Sequence, residues 1–428
     1  MTATGTLDAG LVGAGSARPG LSYMHSRATR LMDILVGVWI FSGGVVLFEP
    51  SPYELTFLLL LPVALMAGLG LYRSTFGLMA IMLAFSPFAL IACFQVKYST
   101  VSDALIFTIV TIFLMVTSYF LANYIAEAPE RRMRIVVIGY TAAAVMAAII
   151  GTLAYLGLMP AADLFLRYGR AKAMFKDPNV FGPFLVLPAM FALQRILLGK
   201  GWQVITAGGI YMVLFVGVFV SFSRAAWGHF AVSSLIVLAL VFLLEANARE
   251  KVRIMLMALA GGFMLIIALG GLLSIPAVGS LFEARASSQN YDTGETGRFG
   301  RQGYAFELAL NNPWGLGPGE FRNLRIVEEP HNVYVSVLHV YGWGGGAMFY
   351  VLIAVTLWKC FTMVARPSPY RLLAIPVAAT FPIVMAESVI IDSDHWRHIY
   401  LLIGLVWGLS SAVGMAGGKA RNGERVLV

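Results

Sequence analysis

Runs of about 20 predominantly apolar residues recur along almost the whole chain, separated by short polar segments. A helix of that length crosses a hydrocarbon core of roughly 30 Å. Twelve such runs are read, near 31–48, 53–71, 75–96, 103–122, 135–157, 180–198, 202–220, 227–244, 254–275, 332–358, 372–390 and 397–415. The alternating segments of about ten residues that a transmembrane barrel requires are absent. Lipid offers no hydrogen-bond partner to an open backbone, so each run is predicted as a helix. The expected fold is an all-α polytopic integral membrane protein. A disordered leader occupies 1–30, nine helices 31–275, one large extramembrane loop with short helices 276–331, three more helices 332–415, and a tail 416–428. The leader lacks a cleavable signal sequence, because the first apolar run continues as a span.

Charge decides the orientation. The chain carries 30 Lys and Arg, 22 Asp and Glu, and a net charge of +8. With both termini cytoplasmic, most of the basic residues fall on inner segments, among them Arg131, Arg132, Arg134, Arg195, Lys200, Arg249 and Arg253, as the positive-inside rule requires. The net charge is thereby explained as membrane anchoring, and no nucleic-acid recognition pattern is present. The outer basic residues are clustered. Apart from Lys97 they fall in the outer segments that hold five polar stretches: Arg170–Asn179, Ser221–Arg224, Gly294–Arg301, Pro330–Asn332 and Asp392–His398. Cations held on that face need a local reason, and an anionic ligand is the commonest. The large loop holds five Arg against seven Asp or Glu, so an anion site there depends on particular arginines. Its centre, Arg298 to Asn312, reads as a short helix ended by the Gly/Pro turn Pro313–Gly319.

Each candidate has a plain reading beside its chemical one. Arg224 is either an arginine snorkelling to the interface or a fixed guanidinium, whose planar fork suits a phosphate. Arg298 and Arg301, three apart, share a helix face. One could grip a ligand while the other braces the loop through Glu295 or Glu307. His331 opens a span and is either an ordinary helix-start histidine or one that serves as a base or a hydrogen-bond donor. His339 and His229 read as packed residues. Asp177-Pro178-Asn179 reads as a helix entry, with Asp or Asn capping and Pro early. Asp392, Asp394, His395 and His398 have metal-ligand chemistry, but Asp394 and His395 are adjacent and Arg397 intrudes, so capping of the last span is preferred and no metal is expected. Gly342-Trp-Gly-Gly-Gly346 reads as close helix packing. Cys93 and Cys360 are expected near opposite membrane faces, too far apart for a disulfide.

Four motifs in order resemble the O-antigen ligase and O-antigen polymerase superfamily of bacterial membrane glycan transferases. Phe175–Gly182 (Phe-Lys-Asp-Pro-Asn-Val-Phe-Gly) resembles its Asp-Pro-Asn segment. Ser221-Phe-Ser-Arg224 is similar to its Ser-Arg motif. Arg298 with Asn312–Phe321 (Asn-Pro-Trp-Gly-Leu-Gly-Pro-Gly-Glu-Phe) is similar to its loop arginine and Asn-Pro-x-x-Gly-x-Gly turn. His331-Asn332 with Tyr341-Gly-Trp-Gly344 resembles its His-Asn helix start. The resemblance runs from about 165 to 350, with one departure: Gln302 stands where the family often has Trp, so Arg301 could share the role of Arg298.

The resemblance implies a metal-independent, inverting enzyme without cofactor, in the bacterial inner membrane with its site facing the periplasm. It moves a glycan from an undecaprenyl-diphosphate-linked donor to a hydroxyl acceptor, either another lipid-linked repeat or lipid A–core. It also implies catalytic roles for His331, Arg298 and Arg224. Arg170, Lys176, Asp177, Asn179, Arg301 and Asn332 are assigned to holding the diphosphate and glycan. A chain-length regulator is a possible partner, alongside membrane lipids. Polymerase is preferred over ligase because only 33 positions separate Arg298 from His331, which leaves little surface for docking a large core. A twelve-span transporter, the alternative class, would place charges at mid-membrane between related halves.

Overall fold

The computed structural model describes residues 19–286, 294, 295, 297–324 and 328–423. Fifteen helices are present among the described residues: α1 (Pro19–Ser42), α2 (Pro52–Met66), α3 (Phe76–Cys93), α4 (Val101–Glu127), α5 (Pro129–Tyr155), α6 (Pro178–Phe184), α7 (Val186–Leu198), α8 (Trp202–Val220), α9 (Arg224–Leu244), α10 (Ala248–Leu273), α11 (Pro276–Ala286), α12 (Arg298–Asn311), α13 (Val333–Ala365), α14 (Arg371–Glu387) and α15 (Arg397–Gly423). Each of the twelve expected spans has a helical counterpart, and among the described residues nine segments are long and apolar enough to cross a membrane. The chain is an all-α polytopic membrane protein. Its one sheet among the described residues is a two-residue hairpin, β1 (Leu166–Arg167) with β2 (Arg170–Ala171).

Three boundaries differ from expectation, each for a local reason. Residues 1–18 of the expected leader lie outside the described residues, but helix already begins at Pro19, and Asp33 within α1 is held by Tyr124 (2.8 Å) and Arg131 (3.3 Å). The expected span 180–198 is two helices, because Pro183 and Pro188 interrupt the ladder around Leu185. The span opening at 332 runs as far as Ala365, with a break at Gly342.

The surface of the bundle is a belt of exposed Leu, Ile, Phe and Met. That belt suits lipid, which removes any drive to bury it. α10 has almost no buried residue and stands at the periphery. Basic groups tie together the end of the bundle opposite to the site described below. Buried Arg132 donates to Tyr124 O (2.8 Å) and Glu127 (2.9 Å), Arg253 donates to Leu197 O (2.6 Å), and Arg371 pairs with Glu245 (2.5 Å). Cys93 and Cys360 are free and buried.

Candidate active site

The C-terminal end of α14 organises the site. Glu387 in its last turn pairs with His229 of α9 at 3.0 Å, both buried. The next carbonyl, Ser388 O, accepts from Val333 N at the start of α13 (2.9 Å). The second turn of α9 and the start of α13 therefore flank one point, which brings Arg224 and His331 to the same end of the bundle. His229 is thus a hydrogen-bond partner of Glu387 as well as a packed residue.

His331 takes φ +56°, a left-handed conformation uncommon for a non-glycine residue. The Asp392 carboxylate holds it there. Oδ2 accepts from His331 N (3.0 Å) and lies 3.0 Å from His331 Nδ1. Oδ1 accepts from Asn332 N (3.1 Å) and Ser336 Oγ (2.9 Å). Asn332 caps α13, its Oδ1 accepting from Tyr334 N (3.0 Å) and Val335 N (3.3 Å). Asp392 therefore serves the start of α13, which corrects its expected role at the last span. The rest of that polar run disperses. His395 Nδ1 lies 3.0 Å from Asp394, Arg397 turns to Glu54 (2.7 Å), and His398 is buried against Phe184. Burial pushes the His395 imidazole down, but the Asp394 carboxylate beside it carries it above the usual histidine value. Among the described residues no group of three or more His, Cys, Asp or Glu is arranged to hold a metal ion.

Gln302 on α12 donates to His331 O (3.0 Å) and Val389 O (3.3 Å), and accepts from Asn332 Nδ2 (3.4 Å). The position that departs from the family's tryptophan is thus a strap across the histidine turn. Nearby Arg301 is 1% exposed and paired with Glu328, a carboxylate the sequence reading had not singled out. Arg301 is placed as a brace within the loop. Arg298, first residue of α12, is half-buried. Glu329 pairs with Arg322 at 2.5 Å, yet burial raises its carboxyl above the usual value.

The glycine-rich turn seats α12 on α13. α13 breaks at Gly342 (φ +71°, ψ −175°), and the exposed backbone pairs with the loop. Leu316 N donates to His339 O (2.8 Å), Gly317 N to Val340 O (3.1 Å), and Trp343 N to Pro313 O (2.9 Å). Buried Glu320 pins the far end of the turn, accepting from Tyr98 N (3.0 Å) and Ser99 N (2.7 Å). Close helix packing is found at Gly344, where Phe88 of α3 crowds the backbone, whereas Gly345 and Gly346 meet Tyr341 and Leu338 of α13 itself. The expectation of helix packing is corrected at Gly342, whose glycine is required by backbone conformation.

On the α9 side, Arg170 of β2 is 6% exposed, with Nε donating to Ser221 O (2.8 Å) and Nη2 to Asn179 Oδ1 (2.8 Å). Asp177 caps α6 through Asn179 N (2.8 Å) and pairs with Arg167 (3.1 Å). Gly182 lets α6 approach Ser221 and Ala226, which a Cβ would strike. Phe222 takes φ +46°, and Ser223 caps α9, so Arg224 emerges exposed at its first position. Arg170 thus frames the turn that presents Arg224. Arg170→Ala leaves a buried carbonyl unpaired at a cost of about 2–3 kcal/mol. A lower melting midpoint of the purified protein, with weaker transfer, is expected. An unchanged midpoint would sink this framing role.

Lys176 does not join these groups. It pairs with Glu49 at 2.8 Å, beside a separate cavity. The sequence also passed over Asp392 as the partner of His331, since 61 positions separate them and nothing local signals the contact.

Residues 209–350, from within α8 to the middle of α13, match the family model described as O-Antigen ligase. No curated protein matches the chain. The match supports the O-antigen ligase and polymerase superfamily and a glycosyltransferase-like activity of that general type.

Proposed function

We propose that this chain, a membrane protein of the O-antigen ligase and polymerase superfamily, transfers a glycan from a lipid diphosphate to a hydroxyl acceptor. The supporting observation is a histidine turn, His331 on Asp392, set at the same end of the bundle as Arg224 and the arginine-framed Ser-Phe-Ser turn. With Nδ1 donating to Asp392, the basic lone pair of His331 lies on Nε2, suited to take the acceptor proton. The acceptor oxygen bonds to the anomeric carbon as the bond from that carbon to the diphosphate oxygen breaks, with inversion. Negative charge then grows on the leaving diphosphate, and the guanidinium groups of Arg224 and Arg298 are the cations to meet it. The basic residues at the opposite end of the bundle support an inner-membrane location with the site facing the periplasm.

The preferred acceptor is a second lipid-linked repeat. The loop between α12 and α13 is pinned by Glu320 and by the broken helix, which leaves it little surface for a large core. The test is glycan analysis of a deletion strain complemented with wild type or Arg224→Ala. Loss of long chains with single repeats remaining on the surface glycan is expected. Long lipid-linked polymer accumulating while lipid A–core stays bare would assign the ligase instead. Unchanged glycan, with the variant present in the membrane, would overturn the transferase reading.

A further inference from the structure

A cavity of about 180 Å³ opens between α1, α2, α6 and α15, apart from the His331 turn. Its walls include Ile40, Val46, Phe175, Phe184 and Leu401. Charged groups gather on the same lining. Glu49 accepts from Lys176 Nζ at 2.8 Å and lies 3.8 Å from Arg397 Nη2. The Glu49 side chain is 57% exposed. Arg397 is anchored independently by Glu54 at 2.7 Å, a pair only about 15% exposed. His398 also lines the cavity, is 5% exposed, and its Nε2 is buried without a hydrogen-bond partner.

Hydrocarbon walls beside two cations suit an amphiphile with an anionic head. The Glu49 carboxylate occupies the position between Lys176 and Arg397 that such a head would take. Swinging it out leaves Lys176 and Arg397 against one fixed carboxylate, a net positive seat. We infer that this cavity is a lipid diphosphate seat, with the head on Lys176 and Arg397 in place of Glu49 and the first part of the chain along the apolar walls.

The biological ligand rests on the reading above: it would be the acceptor's lipid, since joining two lipid-linked repeats requires two such heads. The loop 388–396 links the two places, carrying Asp392 to His331 and His395 to the cavity lining.

The test is binding of farnesyl diphosphate to the purified full chain in detergent, counted by native mass spectrometry and titrated. Two molecules are expected on wild type. Lys176→Ala should weaken one of them by at least about tenfold, the loss of a charge-assisted contact. Glu49→Gln should tighten the same one. Leu401→Trp, which fills the cavity without touching the ion pairs, should remove it. Arg224→Ala should weaken only the other. A single bound molecule indifferent to Lys176→Ala, Glu49→Gln and Leu401→Trp would overturn the inference. So would inorganic diphosphate occupying the Lys176-dependent seat as tightly as farnesyl diphosphate, because the walls would then contribute nothing. Failure of Arg224→Ala alone would count against the proposed function and leave the cavity standing.

Discussion

His331→Asn will lower glycan transfer by about 10²–10⁴-fold, the range for removing a positioned general base. Asparagine is the informative replacement. It enters the left-handed region more readily than alanine, so the φ of +56° is retained at little cost. Asp392 continues to accept from the backbone N–H groups of 331 and 332, and the start of α13 stays capped. The imidazole alone is lost. Transfer rates in proteoliposomes with a lipid-linked repeat separate the possibilities, with thermal unfolding as the folding control. A rate within tenfold of wild type, at an unchanged melting midpoint, would remove His331 from the chemistry and leave it a structural turn. A collapse in rate with donor affinity retained would support the base.

Most of the architecture was legible because the bilayer makes it so. Lipid allows a spanning segment few options besides a helix, and each of the twelve apolar runs has a helical counterpart, nine segments among the described residues being long and apolar enough to span. Helix α12 and the turn after it were legible too, since Pro313, Gly315, Gly317 and Gly319 forbid continuation. Hidden were the contacts between distant segments. Asp392 lies in a run whose composition suggested metal or capping, and only the fold brings it under His331. Arg170 and Lys176 stand six apart with the same charge, yet one is buried on the Ser221 turn and the other reaches Glu49. Local sequence carries no signal for that parting of ways. Gln302 looked like a departure from a pattern, and its meaning as a strap needed the position of the His331 carbonyl.

Gly342 offers the sharpest test of how the site is assembled. Its φ of +71° with ψ near 180° belongs to a region essentially confined to glycine, costing other residues about 1–3 kcal/mol. A Cβ there would also strike the Pro313 carbonyl and the backbone of Trp314 and Gly315. The turn must then lift from α13 and lose backbone hydrogen bonds, each contributing about 1 kcal/mol. Gly342→Ala is therefore expected to destabilise the protein by about 4 kcal/mol or more. It should lower the melting midpoint, expose the 313–321 turn to proteolysis and abolish transfer. Gly344→Ala should do less, because its Cβ meets the ring of Phe88, a half-buried side chain that can rotate away. If glycine served only helix packing along this segment, the order would reverse. Gly344→Ala would then be the worse variant and Gly342→Ala close to wild type. Comparing the two melting curves distinguishes a helix that is merely crowded from one that is broken to receive the loop. The broken helix, together with the Gln302 strap, ties the position of Arg298 on α12 to the start of α13.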